Sequence, residues 1–293
     1  MVVTADDGVE LHAEVRGPGP EVEATTVVLV HGWTLDRRLW HRQLDPLAED
    51  DDLRVVAVDL RGHGASGYGE TARSTIAQLA VDLGRVVDAV APTGPLVLAG
   101  HSMGGMALLA LAEARPASVL DRLAGVLLVD TSAGSLDLLT YGLPRPLGRA
   151  FHRVIPVALE RDRRVEAAGR SRRPVPGVDR WLSFGRDPDP EDVRLASAMG
   201  RATRADVIAD FHVELLAHDR LTALEGLRDV PVVVMVGSRD RLTPPAHARQ
   251  LADALPGSAE LVVLGGAGHM LPMERPDEVL AVLRRLARAR VAA

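Results

Sequence analysis

The sequence predicts an α/β protein built on a mostly parallel central sheet with helices on both faces. Three observations carry this. Continuous aliphatic and β-branched runs at residues 25–30, 54–60, 96–100, 123–129 and 230–236 suit strands buried on both faces. Helical stripes separate them, as parallel neighbours require of their crossovers. Glycines and polar residues gather just after the strands, at the edge where such sheets bind ligands.

Taken in order, residues 9–16 alternate Val9, Leu11, Ala13 and Val15 with polar neighbours, as on a half-exposed edge strand. After the Gly-Pro-Gly-Pro break at 17–20, strand 25–30 ends in His31-Gly32-Trp33-Thr34, and Leu39, Trp40, Leu44 and Leu47 mark a helix. Strand 54–60 ends in Asp59-Leu60-Arg61-Gly62-His63-Gly64-Ala65-Ser66-Gly67, a formal G-x-G-x-x-G match. In a dinucleotide site those glycines open a helix directly. Here Tyr68, Gly69 and Glu70 prolong the loop, and the helix signal comes only at Thr75-Ile76-Ala77-Gln78, a capping-box pattern. The glycine match is read as a decoy. Ile76, Leu79, Leu83, Val86, Val87 and Val90 then face the sheet.

Strand 96–100 meets a serine between glycines and then the apolar run 106–112. This predicts a strand, a strained turn and a buried helix, because small neighbours let the two backbones approach. The helix N-terminus there favours developing negative charge. Strand 123–129 ends at Asp130, and strand 230–236 breaks at Gly237-Ser238-Arg239-Asp240 before a helix at 246–255. The last strand, 259–264, ends in Gly265-Gly266-Ala267-Gly268-His269, and a closing helix carries Asp277 and Glu278 early and Arg284, Arg285, Arg288 and Arg290 late, complementing its dipole.

Between residues 135 and 221 strand runs disappear, prolines recur at 144, 146, 156, 174, 176, 188 and 190, and short helical stretches such as 202–216 hold the apolar residues. This reads as a helical cap of residues 135–221 inserted into a core of 1–134 and 222–293. Arg161, Arg163, Arg164, Arg170, Arg172 and Arg173, interleaved with Asp162 and Glu166, read as a solvated face rather than an anion site. Phe151, Trp181, Phe184, Phe211, Leu215 and Leu216 read mainly as the cap's own core, with some touching ligand.

Composition narrows the function. The 293 residues are 47% hydrophobic and 25% charged, ordinary for a soluble globular protein. A net charge of −6 argues against a nucleic-acid partner. All basic residues other than histidine are arginine, and there is no cysteine, which removes disulfides and thiolate chemistry together. Asp6 and Asp7 stand where a signal peptide needs a basic start, and no apolar run approaches the roughly 18 residues of a spanning helix, so a cytoplasmic location is expected.

Three strand ends thus offer Ser102, Asp240 and His269 in that order. A serine hydroxyl needs a base within hydrogen-bond reach, and the base needs a carboxylate to fix its tautomer. His31-Gly32, Asp59-x-Arg61-Gly62-His63-Gly64-x-Ser66, Gly100-His101-Ser102-Met103-Gly104-Gly105, Gly237-x-x-Asp240-x-x-x-Pro244 and Gly268-His269 together resemble the α/β-hydrolase superfamily, in its branch of small esterases, cofactor-free perhydrolases and C–C hydrolases. The resemblance spans the chain except for the cap.

It implies Ser102 as nucleophile, His269 as general base and then acid, Asp240 as the orienting carboxylate, and the backbone N–H groups of Trp33 and Met103 as the oxyanion hole. It further implies a serine esterase acting on a small-molecule carboxylic ester, thioester or lactone, with no cofactor and no metal. Peroxide as acyl acceptor, C–C bond hydrolysis, and a non-hydrolytic ligand receptor or biosynthetic protein are the alternatives. Asp130 is the rival for the acid. His101 is expected to point away from the serine, His31 and His63 to brace loops, and His212 and His218, six residues apart, to make no metal pair.

Overall fold

The computed structural model describes residues 1–69, 73–114, 116–136, 139–172, 177–255, 257 and 259–289; Glu70, Arg173, Pro174, Pro176 and Arg290 lie outside them. Strands β1 (Val2–Thr4), β2 (Glu10–Arg16), β3 (Thr25–Val30), β4 (Leu53–Val58), β5 (Leu96–His101), β6 (Leu123–Val129), β7 (Val232–Gly237) and β8 (Ala259–Leu264) form one sheet in the order β1-β2-β4-β3-β5-β6-β7-β8. The pairs involving β2 are antiparallel, and all others are parallel. β2 is therefore not an edge, as its alternation suggested. The three-residue β1 covers it, and a strand that short leaves no periodicity to read.

The helices are α1 (His41–Ala48), α2 (Ile76–Val90), α3 (Met103–Ala114), α4 (Ala117–Leu120), α5 (Arg145–Ala167), α6 (Val178–Ser183), α7 (Pro190–Ala202), α8 (Ala205–Ala217), α9 (Pro245–Asp253), α10 (Leu271–Glu274) and α11 (Pro276–Arg288). Strand alternation assigns the two cores. Val28 and Val30 of β3 pack with α2 and α3 on one face, whereas Val27 and Leu29 pack with α1 and α11 on the other. At the start of α2, Thr75 Oγ1 accepts the Gln78 N–H at 3.0 Å, but the Gln78 side chain turns to Asp6 and Asp82, so only half of the capping box forms.

Between β6 and β7 the chain forms α5 to α8. α5 runs for 23 residues, where only short stretches were expected, because Pro156 stands inside it. Proline ordinarily ends a helix. α8 starts at Ala205 rather than 202, and α7 ends there at Ala202. Among the described residues no helix is long and apolar enough to cross a membrane.

Candidate active site

The strand order turns at β3 and β5: the chain proceeds outward through β4 in one direction and through β6, β7 and β8 in the other. Adjacent strands whose connections depart in opposite directions leave a crevice at their carboxyl ends. Val30 pairs with Gly100 there, which sets His31-Gly32-Trp33 beside Ser102.

Ser102 occupies this crevice with φ of 52°, a left-handed conformation that a non-glycine residue adopts only under constraint from its surroundings. Its backbone N–H donates to Val129 O at 3.0 Å, and its carbonyl accepts from Thr131 Oγ1 at 2.7 Å. The glycines allow the turn by proximity. A Cβ on Gly104 would lie 2.5 Å from Val30 O, and one on Gly32 would lie 2.7 Å from His101 Nδ1 and 3.0 Å from Ser102 Cβ. Among the described residues neither the Trp33 nor the Met103 backbone N–H has a hydrogen-bond partner.

His269 and Asp240 are joined directly. His269 Nδ1 donates to Asp240 Oδ2 at 2.8 Å, which leaves Nε2 as the unprotonated nitrogen of the neutral ring. Asp240 also accepts the Leu242 and Thr243 N–H groups at 2.8 and 2.9 Å and the Thr243 hydroxyl at 2.8 Å. Burial works against its charge, but His269 and these donors outweigh it and hold the carboxyl below the ordinary aspartate range. Ser102 Oγ makes no hydrogen bond among the described residues; Ser102 and His269 line the same cavity. Such contacts often tighten only with substrate present.

Asp130 is held for a different purpose. Its Oδ1 accepts the Gly237 N–H at 2.9 Å and its Oδ2 the Leu271 N–H at 3.1 Å, so it ties the end of β6 to β7 and to the turn after His269. Burial, with Asp240 nearby, pushes its carboxyl well above the ordinary range.

The other histidines sort by their ring bonds. His31 Nδ1 donates to Gly32 O at 2.7 Å while Nε2 accepts the Leu60 N–H at 2.9 Å. His63 Nδ1 donates to Arg61 O at 2.9 Å while Nε2 accepts the Thr34 N–H at 3.3 Å. Both brace the loop that carries Trp33, as expected. Burial, aided by His31, pushes His63 down to about 3. His101, expected to point away from the serine, is held by a backbone carbonyl: its Nε2 donates to His269 O at 2.6 Å, its ring lies 4.9 Å from the His269 ring, and the residue also lines the cavity with Ser102. Burial and the nearby His269 push it down to about 3.

The glycine-rich loop after β4 is also structural. Asp59 accepts the Arg37 and Ala65 N–H groups at 2.8 and 2.9 Å, and Arg61 is buried between Asp7 and Asp82 at 2.6 and 2.9 Å. Gly62 and Gly64 pack against Val207 and the Asp59 carboxylate, with no helix opening at them.

Two residues escaped sequence reasoning. Glu274 accepts the N–H groups of Gly268 and Met270 at 2.9 and 3.2 Å with one oxygen, clasping both sides of His269, and that of Gly185 at 2.8 Å with the other. A charged residue closing the apolar run 270–273 was its signal. Thr243 had only its three-residue spacing from Asp240.

A cavity of about 330 Å³ opens over Ser102 and His269, walled by Trp33, Met106 and Leu242 and by the helices between β6 and β7. Of the aromatic candidates, Phe151 lines it together with Leu215 and Leu216, while Phe184 and Phe211 are buried in the two cores. Trp181 is partly exposed, with Arg241 over its ring at 5.1 Å. Arg164 pairs with Glu160 at 2.9 Å in solvent, as a solvated face would, whereas Arg172 departs from that expectation: it is largely buried, pairs with Glu166 at 2.7 Å and donates to Gly200 O and Arg201 O at 3.2 Å. Among the described residues no three His, Asp or Glu side chains converge as metal ligands.

The sequence model of the alpha/beta hydrolase family matches residues 27–282. The chain is 30% identical over 287 residues to the dihydrolipoyllysine-residue acetyltransferase component of the acetoin cleaving system of Cupriavidus necator, across 95% of this chain and 67% of the relative. It is 29% identical to the lipase LipV of Mycobacterium tuberculosis, across 94% and 97% of the two chains. A solved thermophilic esterase from Thermogutta terrifontis superposes with a TM-score of 0.72 at 29% identity, across 98% of this chain and 97% of that one. With a family match over most of its length, and with its strand order and turns built as described, the chain belongs to the alpha/beta hydrolase family.

Proposed function

We propose that this protein hydrolyses carboxylic esters of small molecules through an acyl-serine intermediate. Ser102 is the nucleophile, His269 the base and Asp240 its orienting acid; the Trp33 and Met103 N–H groups form the oxyanion hole. Residues 135–221 are the cap, and 1–134 with 222–293 the core. The observation that carries this reading is the contact of His269 Nδ1 with Asp240 Oδ2 at 2.8 Å, which leaves Nε2 to serve as the base in the cavity that Ser102 and His269 both line.

In the first half-reaction Nε2 takes the Ser102 proton as Oγ attacks the ester carbonyl. The two backbone N–H groups hold the oxyanion, and protonated His269 gives its proton to the departing alcohol oxygen. Water then attacks the acyl-enzyme with the same base, releasing the acid and restoring Ser102. Asp240, held below the ordinary range, stays ionised and stabilises the imidazolium that forms at each step.

The relatives named lipase and esterase support the ester bond as the target. Asp130 is not the acid in this reading, because His269 Nδ1 bonds Asp240, while the Asp130 oxygens take the backbone N–H groups of Gly237 and Leu271. The test is Ser102→Ala. Turnover of p-nitrophenyl esters should fall by about 10⁴- to 10⁶-fold and fluorophosphonate labelling should vanish; labelling retained at the wild-type level refutes the assignment.

A further inference from the structure

The cavity over Ser102 is walled chiefly by apolar side chains such as Met106, Leu139, Phe151, Ile155 and Leu215. Two imidazoles in that wall are incompletely paired: His101, beside Ser102, bonds His269 O through Nε2 and leaves Nδ1 without a partner, while His212 leaves both of its nitrogens so. His212, on α8, is 7% exposed, lines the cavity, and has no hydrogen-bond or ion-pair partner for either ring nitrogen among the described residues. The contrast with its neighbours is direct: His31 and His63 each commit both nitrogens, and His152, near the same wall, places Nε2 on Leu139 O at 2.7 Å.

The His212 ring is also held in place. It lies 5.8 Å from the Trp33 ring at 36°, and Trp33 Nε1 donates to Ile208 O at 3.2 Å, one turn earlier on α8. That bond fastens α8 to Trp33, which lines the same cavity as Ser102. The ring therefore stands at a fixed position relative to the reacting carbonyl. Burial, with His152 nearby, also lowers its pKa, so it meets the ligand as a neutral imidazole with one donor and one acceptor. Buried polar groups are ordinarily paired, and a site that keeps one unpaired against a ligand discriminates strongly for a ligand that pairs it.

We infer that His212 is a specificity-determining residue that hydrogen-bonds a hydroxyl or carbonyl oxygen carried by the ester some bonds away from the scissile carbonyl. The preferred substrates are thus oxygen-substituted esters rather than plain alkyl ones. This rests on the ester-hydrolase reading above. The shared chemistry is the substituent oxygen, which belongs either to the acyl chain or to the alcohol, and the experiment separates the two.

Initial rates are measured by pH-stat for ethyl hexanoate, ethyl 3-hydroxyhexanoate, ethyl 5-hydroxyhexanoate and 2-hydroxyethyl hexanoate, with wild type, His212→Phe and His212→Gln. The readout is the ratio of kcat/KM for each hydroxy ester to that for ethyl hexanoate. The wild-type ratio should exceed one for at least one hydroxy ester, fall about tenfold in H212F, mainly through KM, and be largely kept in H212Q, whose amide still donates and accepts. The ester whose ratio moves identifies acyl or alcohol recognition. A wild-type ratio no greater than one for every hydroxy ester, or a ratio equal in all three proteins, overturns the inference while leaving the ester-hydrolase reading intact. No turnover of any of the four esters by wild type overturns both. Should H212F fail to fold, His212→Leu replaces it and the same ratios decide.

Discussion

The carboxyl edge of the sheet and the helices that share its cavity are built by opposite means. At the edge, position is set by directed polar bonds. His269 alone is fixed by its N–H to Ser183 O, its carbonyl to His101, its ring to Asp240, and by Glu274 bonding the residues on either side. α5 is set more by shape: beyond the bonds of His152 to Leu139 O and of the Ala205 N–H to Glu166, it offers Phe151 and Ile155 to the cavity, leaves Leu147, Val154 and Val157 in solvent, and among its described residues fully buries only Gly148. α8 stands between the two, with Val207 and Phe211 sunk into the core and His212 left at the wall. Chemistry that fails when a group moves by an ångström needs the first kind of construction. A wall that selects substrates by volume tolerates the second.

The largest effects should come from cutting bonds at the edge, and the two aspartates separate bonds that carry chemistry from bonds that carry structure. Asp240→Asn no longer fixes the His269 tautomer, and kcat for a p-nitrophenyl ester should fall by about 10⁴-fold with KM little changed. Asp130→Asn loses one of two backbone acceptors, which should cost about 1–3 kcal/mol of unfolding free energy and far less in kcat. Equal losses of kcat in the two variants would break the distinction.

Next come two phenylalanines on the helices. Phe211, fully buried and 5.7 Å from the His63 ring that holds Thr34, should cost about 3–5 kcal/mol when replaced by alanine, read in urea unfolding. Phe151→Ala should cost about 1 kcal/mol or less and shift the acyl-length profile towards longer chains. A similar stability cost at both sites would mean that α5 is as firmly anchored as α8. Gly32→Ala should lower kcat by about 10²-fold, because the new methyl group meets His101 and Ser102 and displaces the loop bearing the Trp33 N–H.

What was legible in the sequence follows the same division. Buried strands declare themselves by composition, and the turns after them by residues with few substitutes at those positions, so Ser102, Asp240 and His269 could be ordered along the chain before any coordinates. β1 was hidden by its three residues, and α5 by Pro156. The bonds that hold the site together were hidden for another reason. Glu274 reaching back over His269, and His101 bonding the carbonyl of a residue 168 positions away, are long-range facts with no local pattern. The lining of the cavity was least legible, since Phe151 and Phe211 look alike in a helix and only packing tells wall from core.

A further effect, and the one that tests how the edge is held, is its response to acid. Burial depresses His63 and His101 to about 3, against about 6.5 in an unfolded chain. Between those values the unfolded state binds protons that the folded state does not, so stability falls as pH falls from about 6.5 towards 3, by up to about 1.4 kcal/mol per pH unit for each ring. Asp130 acts in the opposite sense: its raised pKa lets the folded state bind a proton that the unfolded state releases above about 4, which favours the fold on acidification. His31 and Asp240, both also held below their ordinary values, act in the same sense as the two rings, so the edge as a whole loses stability in acid. Urea unfolding at pH 6.5, 5.5 and 4.5 should show it. His63→Gln should flatten that slope by about one proton's worth, roughly 1.4 kcal/mol per pH unit, and Asp130→Asn should steepen it. Phe151→Ala, on the wall held by shape, should lower stability by the same amount at each pH. If His63→Gln also shifts every point equally, the edge is not being held by neutral buried histidines, and the contrast between its polar construction and the packed wall loses its basis.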